Sequence, residues 1–262
     1  MRIPSYHVDA FTDTLFSGNP AAVCLLPKWL EADKLQKIAV ENGLPVTAFL
    51  VQSENLAIRW FTPEYELDLC GHGTMAAAYV YFKCLDFKSI AINFHSKNEI
   101  LNVVKNDDWI TLNFPIKVIE KCEIPTLLLQ ELGVEPVEIY QHKDERLLIV
   151  LENESQVAAF MPNILALSKL QYRGVIITAP SDKYDFVSRT FYPKKISNYE
   201  DAVTGVSHCL LAPYWSERLN KKELYAQQLS GRQGFLKCAV SDNRVYLSSK
   251  AVLYFEGNII LK

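Results

Sequence analysis

The chain repeats short patterns at a nearly constant spacing, and this repeat constrains its fold more than any other feature. The segment RWFTP begins at Arg59 and is matched by RTFYP, which begins at Arg189, 130 positions later. The segment LNVVKNDDWITL begins at Leu101 and is matched by LKCAVSDNRVYL, which begins at Leu236, 135 positions later. Matches in the same order at similar offsets indicate a duplicated α/β unit, with coincidence among common strand patterns as the alternative.

In each half, a turn of small residues opens an apolar helix. The turn at Cys70 precedes the segment MAAAYVYF, which is apolar on nearly every face and is therefore expected to be buried all round. The turn EDAVTG, aligned through Asp201 at an offset of 131, precedes the apolar segment VSHCLLAPYW. Because N–H groups and the positive end of the helix dipole point out of a helix N-terminus, each turn is suited to hold an anion.

The remaining hydrophobic pattern predicts mostly strands, so the fold class is α+β. A helix is expected over residues 31–42, with Leu35, Ile38 and Ala39 on one face and Gly43 as its stop. RWFTP is predicted to end a strand at Pro63. The predicted strands are residues 3–11, 46–51, 56–61, 89–95, 99–105 and 109–114. The duplication then predicts two pseudo-symmetric lobes, residues 1–115 and 116–262, whose helix N-termini face one cleft, where small-molecule sites commonly lie.

Composition excludes several classes of protein. The net charge is −3, so no global basic field favours nucleic acid or an anionic membrane as a partner. The six cysteines include no CxxC pair and the histidines are far apart, so no metal site is predicted and reduced thiols are expected. No signal peptide and no apolar run long enough to cross a bilayer is visible. We therefore expect a soluble, cytoplasmic protein.

Five blocks of sequence resemble one known family, and together they span nearly the whole chain. They are VDAFTDTLFSGNPAAV (residues 8–23), RWFTPEYELDLCGHGTMAAA (59–78), DFVSRTFYP (185–193), EDAVTGVSHCLLAPYW (200–215) and QLSGRQG (228–234). On these blocks the chain is identified as a member of the PhzF-like, phenazine biosynthesis-like family, whose fold is that of diaminopimelate epimerase.

The resemblance implies both architecture and activity. It implies two lobes, each a curled β-sheet or barrel around a central buried helix, with the last few residues packing back on the first lobe. It also implies a cofactor-free active site between the lobes and commonly a homodimer. Family members characterised as enzymes are isomerases that move a proton on a small carboxylate-bearing substrate, usually a dihydro-3-hydroxyanthranilate.

The resemblance also assigns site residues. It retains the candidate acid/base residues His72 and Asp201. The positions expected to bind substrate are Gly71, Gly73, Thr74, Thr204, Gly205, Asn19, Ser230 and Arg232.

Several positions depart from the family pattern, and four of them matter for the site. The family's NLSETAF, whose Glu is the principal acid/base, corresponds to GLPVTAF here, with Val46 in the place of the Glu. The family's EDPVTGSAH corresponds to EDAVTGVSH, so that Ala202 replaces a proline and Val206 replaces a site serine. Gln233 replaces a glycine of the family's RGG. The departures at Val46 and Val206 put the proton-transfer chemistry in doubt.

Each candidate catalytic residue has a structural alternative. Asp201 acts as acid or base if burial raises its pKa, but aspartate is also a favoured helix N-cap. His72 can donate a proton, although a lone histidine at a helix start is more often structural. Cys70 matches the position of a catalytic thiol in diaminopimelate epimerase, and a helix N-terminus lowers the pKa of a thiol; free cysteines are also commonly buried. His208, a turn into the second helix, is expected to lie in the core or line the cleft rather than to be catalytic.

Two functions remain in competition. One is an isomerase or epimerase-type enzyme that uses Asp201 with His72 or Cys70. The other is an inactive family member that binds a small carboxylate, or a protein partner, at the same place. A purely structural dimer is the least favoured, because such a protein does not need the backbone N–H donors of the two glycine-containing turns.

Overall fold

The computed structural model describes residues 1–52, 55–85, 87–195 and 199–262, and its elements follow the hydrophobic pattern of the chain. The predicted strands and the first helix are confirmed within one or two residues, and Gly43 ends that helix in a left-handed conformation, with φ 64°. In residues 1–115 the elements are β1 (Arg2–Ala10), β2 (Asn19–Leu26), α1 (Ala32–Asn42), β3 (Val46–Gln52), β4 (Leu56–Phe61), β5 (Glu66–Leu67), α2 (Gly71–Tyr79) with a π-helical extension (Val80–Cys84), β6 (Ala91–His95), β7 (Ile100–Asn106) and β8 (Trp109–Pro115).

The rest of the chain contains the second set of elements. They are β9 (Glu120–Lys121), α3 (Thr126–Leu132), β10 (Glu138–His142), β11 (Arg146–Val150), α4 (Glu154–Ala159), α5 (Ile164–Leu167), β12 (Gly174–Pro180), β13 (Phe186–Phe191), β14 (Glu200–Asp201), α6 (Gly205–Leu219), β15 (Glu223–Gln228), β16 (Gly234–Ser241), β17 (Arg244–Ser249) and β18 (Ala251–Ile260). The fold is thus α+β and dominated by strands, as predicted.

The chain forms two compact units, and their division differs from the predicted one at the C-terminus. One unit comprises Met1–Phe114 together with Tyr246–Lys262, and the other comprises Pro115–Val245. The prediction placed all of residues 116–262 in the second lobe, apart from a few residues packing back. Instead, β18 pairs with β1 over the whole length of β1, from Arg2 opposite Ile260 to Ala10 opposite Ala251. Hydrogen bonding along an entire strand therefore holds the C-terminal segment in the first unit.

The first unit is a sheet with a helix on each face. Strand β1 lies between β2 and β18, β2 and β3 are parallel, and β4 is antiparallel to β3. Helix α2 packs against β1, β2 and β3, whereas α1 packs against β3 and β4. The parallel pair of strands is buried on both faces, which explains its nearly continuous apolar sequence. The core beneath α1 consists of Ile3, Cys24, Leu26, Leu35, Ile38, Ala39, Phe49, Val51 and Phe61.

The second unit repeats the pairing order of the first. Strands β10 and β11 are antiparallel, β11 and β12 are parallel, β12 and β13 are antiparallel, and β13 and β15 are parallel. The corresponding pairs in the first unit are β1–β2, β2–β3, β3–β4 and β4–β6. The duplication predicted from the sequence is therefore confirmed in the strand order.

The same ion pair recurs in both units. In the first unit, Arg59 Nε and Nη2 each lie 2.7 Å from an oxygen of Glu66. In the second, Arg189 Nε and Nη2 lie 2.7 and 3.0 Å from Glu200. Such bidentate pairs fix the relative position of the two segments that carry them. In each unit, the pair holds the strand of the RWFTP or RTFYP motif against the short strand that leads to the central helix.

The two central helices begin at equivalent residues, and this corrects the alignment of the turns. Helix α2 has Cys70 as its N-cap and α6 has Thr204, so the offset is 134 rather than 131. The helix expected to begin after Thr74 in fact includes Gly71–Thr74 as its first turn. The structural counterpart of Cys70 is therefore Thr204, not Asp201.

Both central helices depart from regular α geometry after about two turns. Helix α2 continues into the π-helical segment Val80–Cys84. Helix α6 contains Pro213, which has no N–H to donate to the carbonyl of Cys209. The backbone N–H of Lys117 donates to that carbonyl instead, at 3.1 Å. A residue outside the helix thus replaces the hydrogen bond that the proline removes.

Within the described residues, no helix is long and apolar enough to cross a membrane.

The turn before β2 requires a glycine, and this requirement can be measured. Gly18 has φ 66°, and an added Cβ would overlap the carbonyl oxygen of Ala10. Gly43 has φ 64° but has nothing within 4 Å of an added Cβ. Gly43→Ala should therefore cost about 1 kcal/mol from backbone strain alone. Gly18→Ala should cost at least about twice as much, measured as the free energy of unfolding in urea. Equal costs for the two variants would contradict the predicted overlap.

Candidate active site

In the first unit, the candidate site is the loop at residues 70–74, where α2 begins. The Cys70 side chain caps the helix, because its Sγ accepts a hydrogen bond from Gly73 N at 3.4 Å. Thr74 donates its hydroxyl to the carbonyl of Cys70 at 2.6 Å and is fully buried. Cys70 is only 4% exposed. Cys70 and Thr74 therefore both stabilise the first turn of the helix, whatever else they do.

His72 lies beside the capping thiol. Its Nδ1 is 3.5 Å and its Nε2 is 3.9 Å from Cys70 Sγ, and the imidazole is half-buried. A thiol and an imidazole at this distance can exchange a proton, and either can exchange one with a bound molecule. The loop therefore places two titratable groups together at the N-terminus of a buried helix.

Gly73 is a glycine because three side chains leave no room for a Cβ. A Cβ on Gly73 would lie 2.9 Å from Trp60 Cδ1, 3.1 Å from Val46 Cγ1 and 3.2 Å from Cys70 Sγ. Val46 is fully buried at the start of β3. A side chain at position 46 therefore reaches the first turn of α2, which is where a carboxylate could act on a ligand held by the helix N-terminus.

Asn19 is predicted to bind substrate and lies in the same unit. It is fully buried at the first position of β2, opposite Ala10 of β1. Two residues along β2, Ala21 pairs with Val46 of β3. The strand pairing thus brings the start of β2 close to the start of β3.

In the second unit, Asp201 lies in the short strand β14 rather than at the N-cap. The expectation of an aspartate N-cap is wrong, because the N-cap of α6 is Thr204. Asp201 Oδ2 accepts a hydrogen bond from the Thr204 hydroxyl at 2.8 Å. This hydroxyl therefore faces Asp201 and does not cap the helix. Asp201 is half-buried, with its carboxylate directly beside the start of α6.

Three side chains hold the loop at residues 201–205 in place. Gln228 Nε2 donates to the carbonyl of Asp201 at 2.7 Å, and Gln228 Oε1 accepts from Thr204 N at 2.9 Å. The Ser230 hydroxyl donates to the carbonyl of Ala202 at 2.7 Å. His208 Nδ1 lies 2.8 Å from the carbonyl of Thr204. Ser230, predicted to bind substrate, thus serves at least to brace the loop.

Gln228 and Trp60 were not singled out by the sequence, although both lie in quoted blocks. A buried glutamine has donors and an acceptor that need partners, and this requirement is the signal that could have identified Gln228. Trp60 stands next to the arginine of the duplicated motif. Its proximity to Gly73 depends on β4 packing beneath the first turn of α2, which no local pattern reveals.

The remaining predicted positions lie around the start of α6. Gly205 and Val206 are its first two residues, and Val206 is half-buried. The counterpart of Val206 in α2, at the offset of 134, is His72. Arg232 is half-buried in the loop after Ser230, and the next residue, Gln233, has φ 54°. Position 233 thus has a left-handed backbone, which a non-glycine residue adopts at a cost of about 1–2 kcal/mol, and the glycine expected there from the sequence resemblance would avoid that cost.

No group of three or more potential metal ligands occurs among the described residues.

Burial of His208 makes it neutral near pH 7. The side chain is fully buried beside Phe186, and burial lowers its pKa to about 4. Its Nδ1 lies against a carbonyl oxygen, which accepts only, so Nδ1 carries the proton and Nε2 is the unprotonated nitrogen. This confirms the prediction that His208 lies in the core.

Lowering the pH from 7.5 to 5 should destabilise the protein through His208. An unfolded histidine has a pKa near 6.5, so in this window the unfolded state binds more protons than the folded state. Above about pH 6.5, neutral His208 makes its full contribution to the free energy of unfolding. This contribution is lost as the pH falls toward 4, and about 2 kcal/mol is lost at pH 5. Urea unfolding at the two pH values measures this loss.

The matched variant is His208→Asn, whose amide keeps a donor for the Thr204 carbonyl but does not titrate. Between pH 7.5 and 5, this variant should lose about 2 kcal/mol less of its free energy of unfolding than wild type loses. His142, whose pKa burial also lowers, is present in both proteins and cancels in the comparison. The same pH dependence in wild type and variant would contradict the assignment.

Comparison with known proteins identifies the family. The family model for phenazine biosynthesis-like protein, PhzC–PhzF, matches residues 8–257. An uncharacterized isomerase of Pseudomonas aeruginosa is 44% identical over 262 residues, which cover 100% of both chains. The crystal structure of a phenazine biosynthesis protein of the PhzF family from Enterococcus faecalis has a TM-score of 0.95 and 43% identity, and the match covers 100% of both chains.

A more distant match extends the likeness of the fold. A probable proline racemase from Agrobacterium radiobacter K84 has a TM-score of 0.69 at 7% identity, over 99% of this chain and 93% of that one. At this identity the match concerns the fold alone, and it supports the predicted epimerase-like architecture. The sequence blocks, the duplicated units and the family match agree: this chain belongs to the phenazine biosynthesis-like (PhzC–PhzF) family.

Proposed function

We propose that the protein is an isomerase-type enzyme that moves a proton on a small carboxylate-bearing metabolite without a cofactor. Membership of the PhzC–PhzF family and the isomerase names of relatives support the reaction class. The observation that carries the proposal is the placement of titratable side chains at the starts of two buried helices. Cys70 and His72 lie at the start of α2, and Asp201 lies beside the N-cap of α6.

Each element of this arrangement has a chemical task in the proposal. Moving a proton next to a carboxylate requires a base, an acid and stabilisation of the negative charge that develops. The N–H groups at the two helix N-termini stabilise carboxylate oxygens. Asp201 is the first acid/base, and His72 is the second, with Cys70 as its thiol neighbour. The proposal requires both loops to reach the same substrate, so substitutions in either loop should affect one reaction.

A second candidate is a family member that binds such a carboxylate without turning it over. The observation that favours it is Val46, which is fully buried and lies against Gly73. Valine has no ionisable group, and the loss of a general acid or base typically lowers the reaction rate by a factor of about 10²–10⁴. The two candidates share the anion-binding loops and differ only in proton transfer, so an isotope-exchange experiment separates them.

Wild-type protein in D₂O should incorporate deuterium at the carbon next to the carboxylate of a substrate from a panel of amino and hydroxy acids. Asp201→Asn should lower the exchange rate by about 10² or more, because the amide accepts the Thr204 hydroxyl but cannot transfer a proton. The readout is proton NMR of the panel after incubation.

The control is Asp242→Asn, which changes an aspartate in the hairpin between β16 and β17. Asp242 has φ 50°, a conformation that asparagine adopts readily, and the variant should exchange at the wild-type rate. No exchange with any panel member, together with calorimetric binding of a panel carboxylate, would exclude the enzyme and leave the binding protein.

Installing a carboxylate at position 46 tests the role of that position directly. Wild-type protein should not isomerise the usual family substrate, dihydro-3-hydroxyanthranilate, at a measurable rate. Val46→Glu should gain isomerisation by about 10²-fold or more over wild type, because the side chain at position 46 reaches the first turn of α2. The assay follows the substrate spectrophotometrically.

Val46→Gln is the matched control, since it has the same shape as the glutamate variant but no transferable proton. It should remain at the wild-type level. Turnover of this substrate by wild type that is lost in Val46→Ala but kept in Asp201→Asn would overturn the roles given to both residues.

A further inference from the structure

The indole N–H of Trp60 is buried without a hydrogen-bond partner in the described part of the chain. The side chain is 1% exposed, and Nε1 contacts no acceptor there. Buried polar groups are nearly always hydrogen-bonded, and an unsatisfied donor destabilises the folded state. A donor left in this condition at a fixed position therefore points to an acceptor that the described part of the chain does not supply.

The indole that carries the unsatisfied donor packs against the candidate active site. Cδ1, the ring carbon bonded to Nε1, would be 2.9 Å from a Cβ on Gly73. Val46 Cγ1 and Cys70 Sγ border the same point, at 3.1 and 3.2 Å. These side chains offer Trp60 no strong acceptor: one is a methyl group and the other is the sulfur that caps α2. The indole is thus packed against the first turn of the helix whose N-terminus is the proposed anion site.

A second tryptophan provides a comparison, because its buried indole N–H has a hydrogen-bond partner inside the protein. Trp215 in α6 is also 1% exposed, and its Nε1 donates to the Thr178 hydroxyl at 3.0 Å. The charged residue next to Trp60 is also satisfied, since Arg59 is paired with Glu66. Other buried side-chain atoms without a partner among the described residues, Arg146 Nε, Ser188 Oγ and His208 Nε2, lie in the second unit, and of the two buried indoles compared here only Trp60 lacks an acceptor.

A water molecule is the competing acceptor. Trp60 borders a cavity of about 130 Å³, which is large enough to hold one. This cavity is lined by two positively and two negatively charged side chains, Arg59, Lys97, Glu66 and Asp68. A water in this cavity would not depend on a ligand at α2, and this difference allows the two acceptors to be distinguished.

We propose that the Trp60 N–H is a substrate-binding group that donates a hydrogen bond to a carboxylate oxygen of the ligand held at the start of α2. An indole N–H is a donor only, so its partner must be an acceptor at every pH. Together with the backbone N–H groups of the loop, it selects an anionic oxygen over an ammonium group at this point. The inference rests on the proposed function, because it assumes that a small carboxylate binds there.

The test compares Trp60→Phe with Trp215→Phe, which remove the N–H from a buried indole in each case. The probes are malonate and benzoate, titrated into each protein by calorimetry. Trp60→Phe should bind about 10-fold or more weakly than wild type, the usual effect of losing a hydrogen bond to a charged group. Trp215→Phe should stay within about twofold of wild type, because its hydrogen bond is internal.

Stability without ligand gives an independent readout. Both variants leave a similar cavity, but only Trp215→Phe breaks a hydrogen bond and leaves the Thr178 hydroxyl without its donor. Trp60→Phe should therefore unfold at the higher temperature of the two. If a structural water satisfied Trp60, removal of the N–H would strand that water and lower the stability of both variants alike.

An NMR measurement on wild-type protein keeps the inference testable if Trp60→Phe does not fold. The chain has four tryptophans, so ¹⁵N-indole labelling gives four N–H signals. Phenylalanine variants of Trp29, Trp109 and Trp215 assign three of them, and Trp60 is the fourth. Malonate should move the Trp60 signal downfield and leave the Trp215 signal in place.

The outcomes distinguish the role of Trp60 from the proposed function. Binding of a probe by wild type with unchanged affinity in Trp60→Phe, or with an unmoved Trp60 signal, overturns the role of Trp60 and leaves the proposed function intact. Failure of wild type to bind either probe overturns the carboxylate ligand itself, and with it the role of Trp60.

Discussion

A helix that is buried from its first residue must find hydrogen-bond partners inside the protein, and both units of this chain are organised around that requirement. The first N–H groups of a helix have no partner within the helix, and here little water can reach them. In α2, the thiol of Cys70 accepts one of them. At the start of α6, Gln228 and Ser230 hold the loop by its backbone groups instead. The residues at the candidate site therefore have structural tasks before they have chemical ones.

Because of the duplication, the chain contains two buried helix starts of this kind, and their side chains differ in chemistry. The Arg59–Glu66 and Arg189–Glu200 pairs fix the strand that leads to each helix, so the two helix starts are presented in the same way. The first turn then varies without changing the fold. One copy carries a thiol and an imidazole, while the other carries a hydroxyl that donates to Asp201. The proposed anion binding uses backbone donors and is therefore insensitive to this variation, whereas the proposed proton transfer depends on the side chains that vary.

Position 46 shows why the distinction matters for function. The packing against Gly73 that brings its side chain to α2 is a property of the sheet, and it holds for valine as it would for glutamate. Relative to the glutamate that the sequence resemblance expects at this position, valine keeps the packing contact and has no proton-transfer group. The same tight packing leaves the indole N–H of Trp60 beside the site without a partner in the described chain. In the proposed function, the first unit offers a ligand backbone donors and an apolar wall, and Cys70 and His72 are its proposed proton-transfer groups.

The sequence by itself determined the fold class, the duplication, the strands and the buried helices, because these depend on hydrophobic periodicity and on local signals such as Gly43 at the end of α1. It also identified the loops of the candidate site, since they lie in contiguous blocks. The tertiary structure decided which residue caps each helix, why position 73 must be glycine, and that Tyr246–Lys262 belong to the first unit. The packing at position 73 and the place of the C-terminal segment depend on atoms brought together from distant strands, and contacts of that kind leave no periodic trace in the sequence.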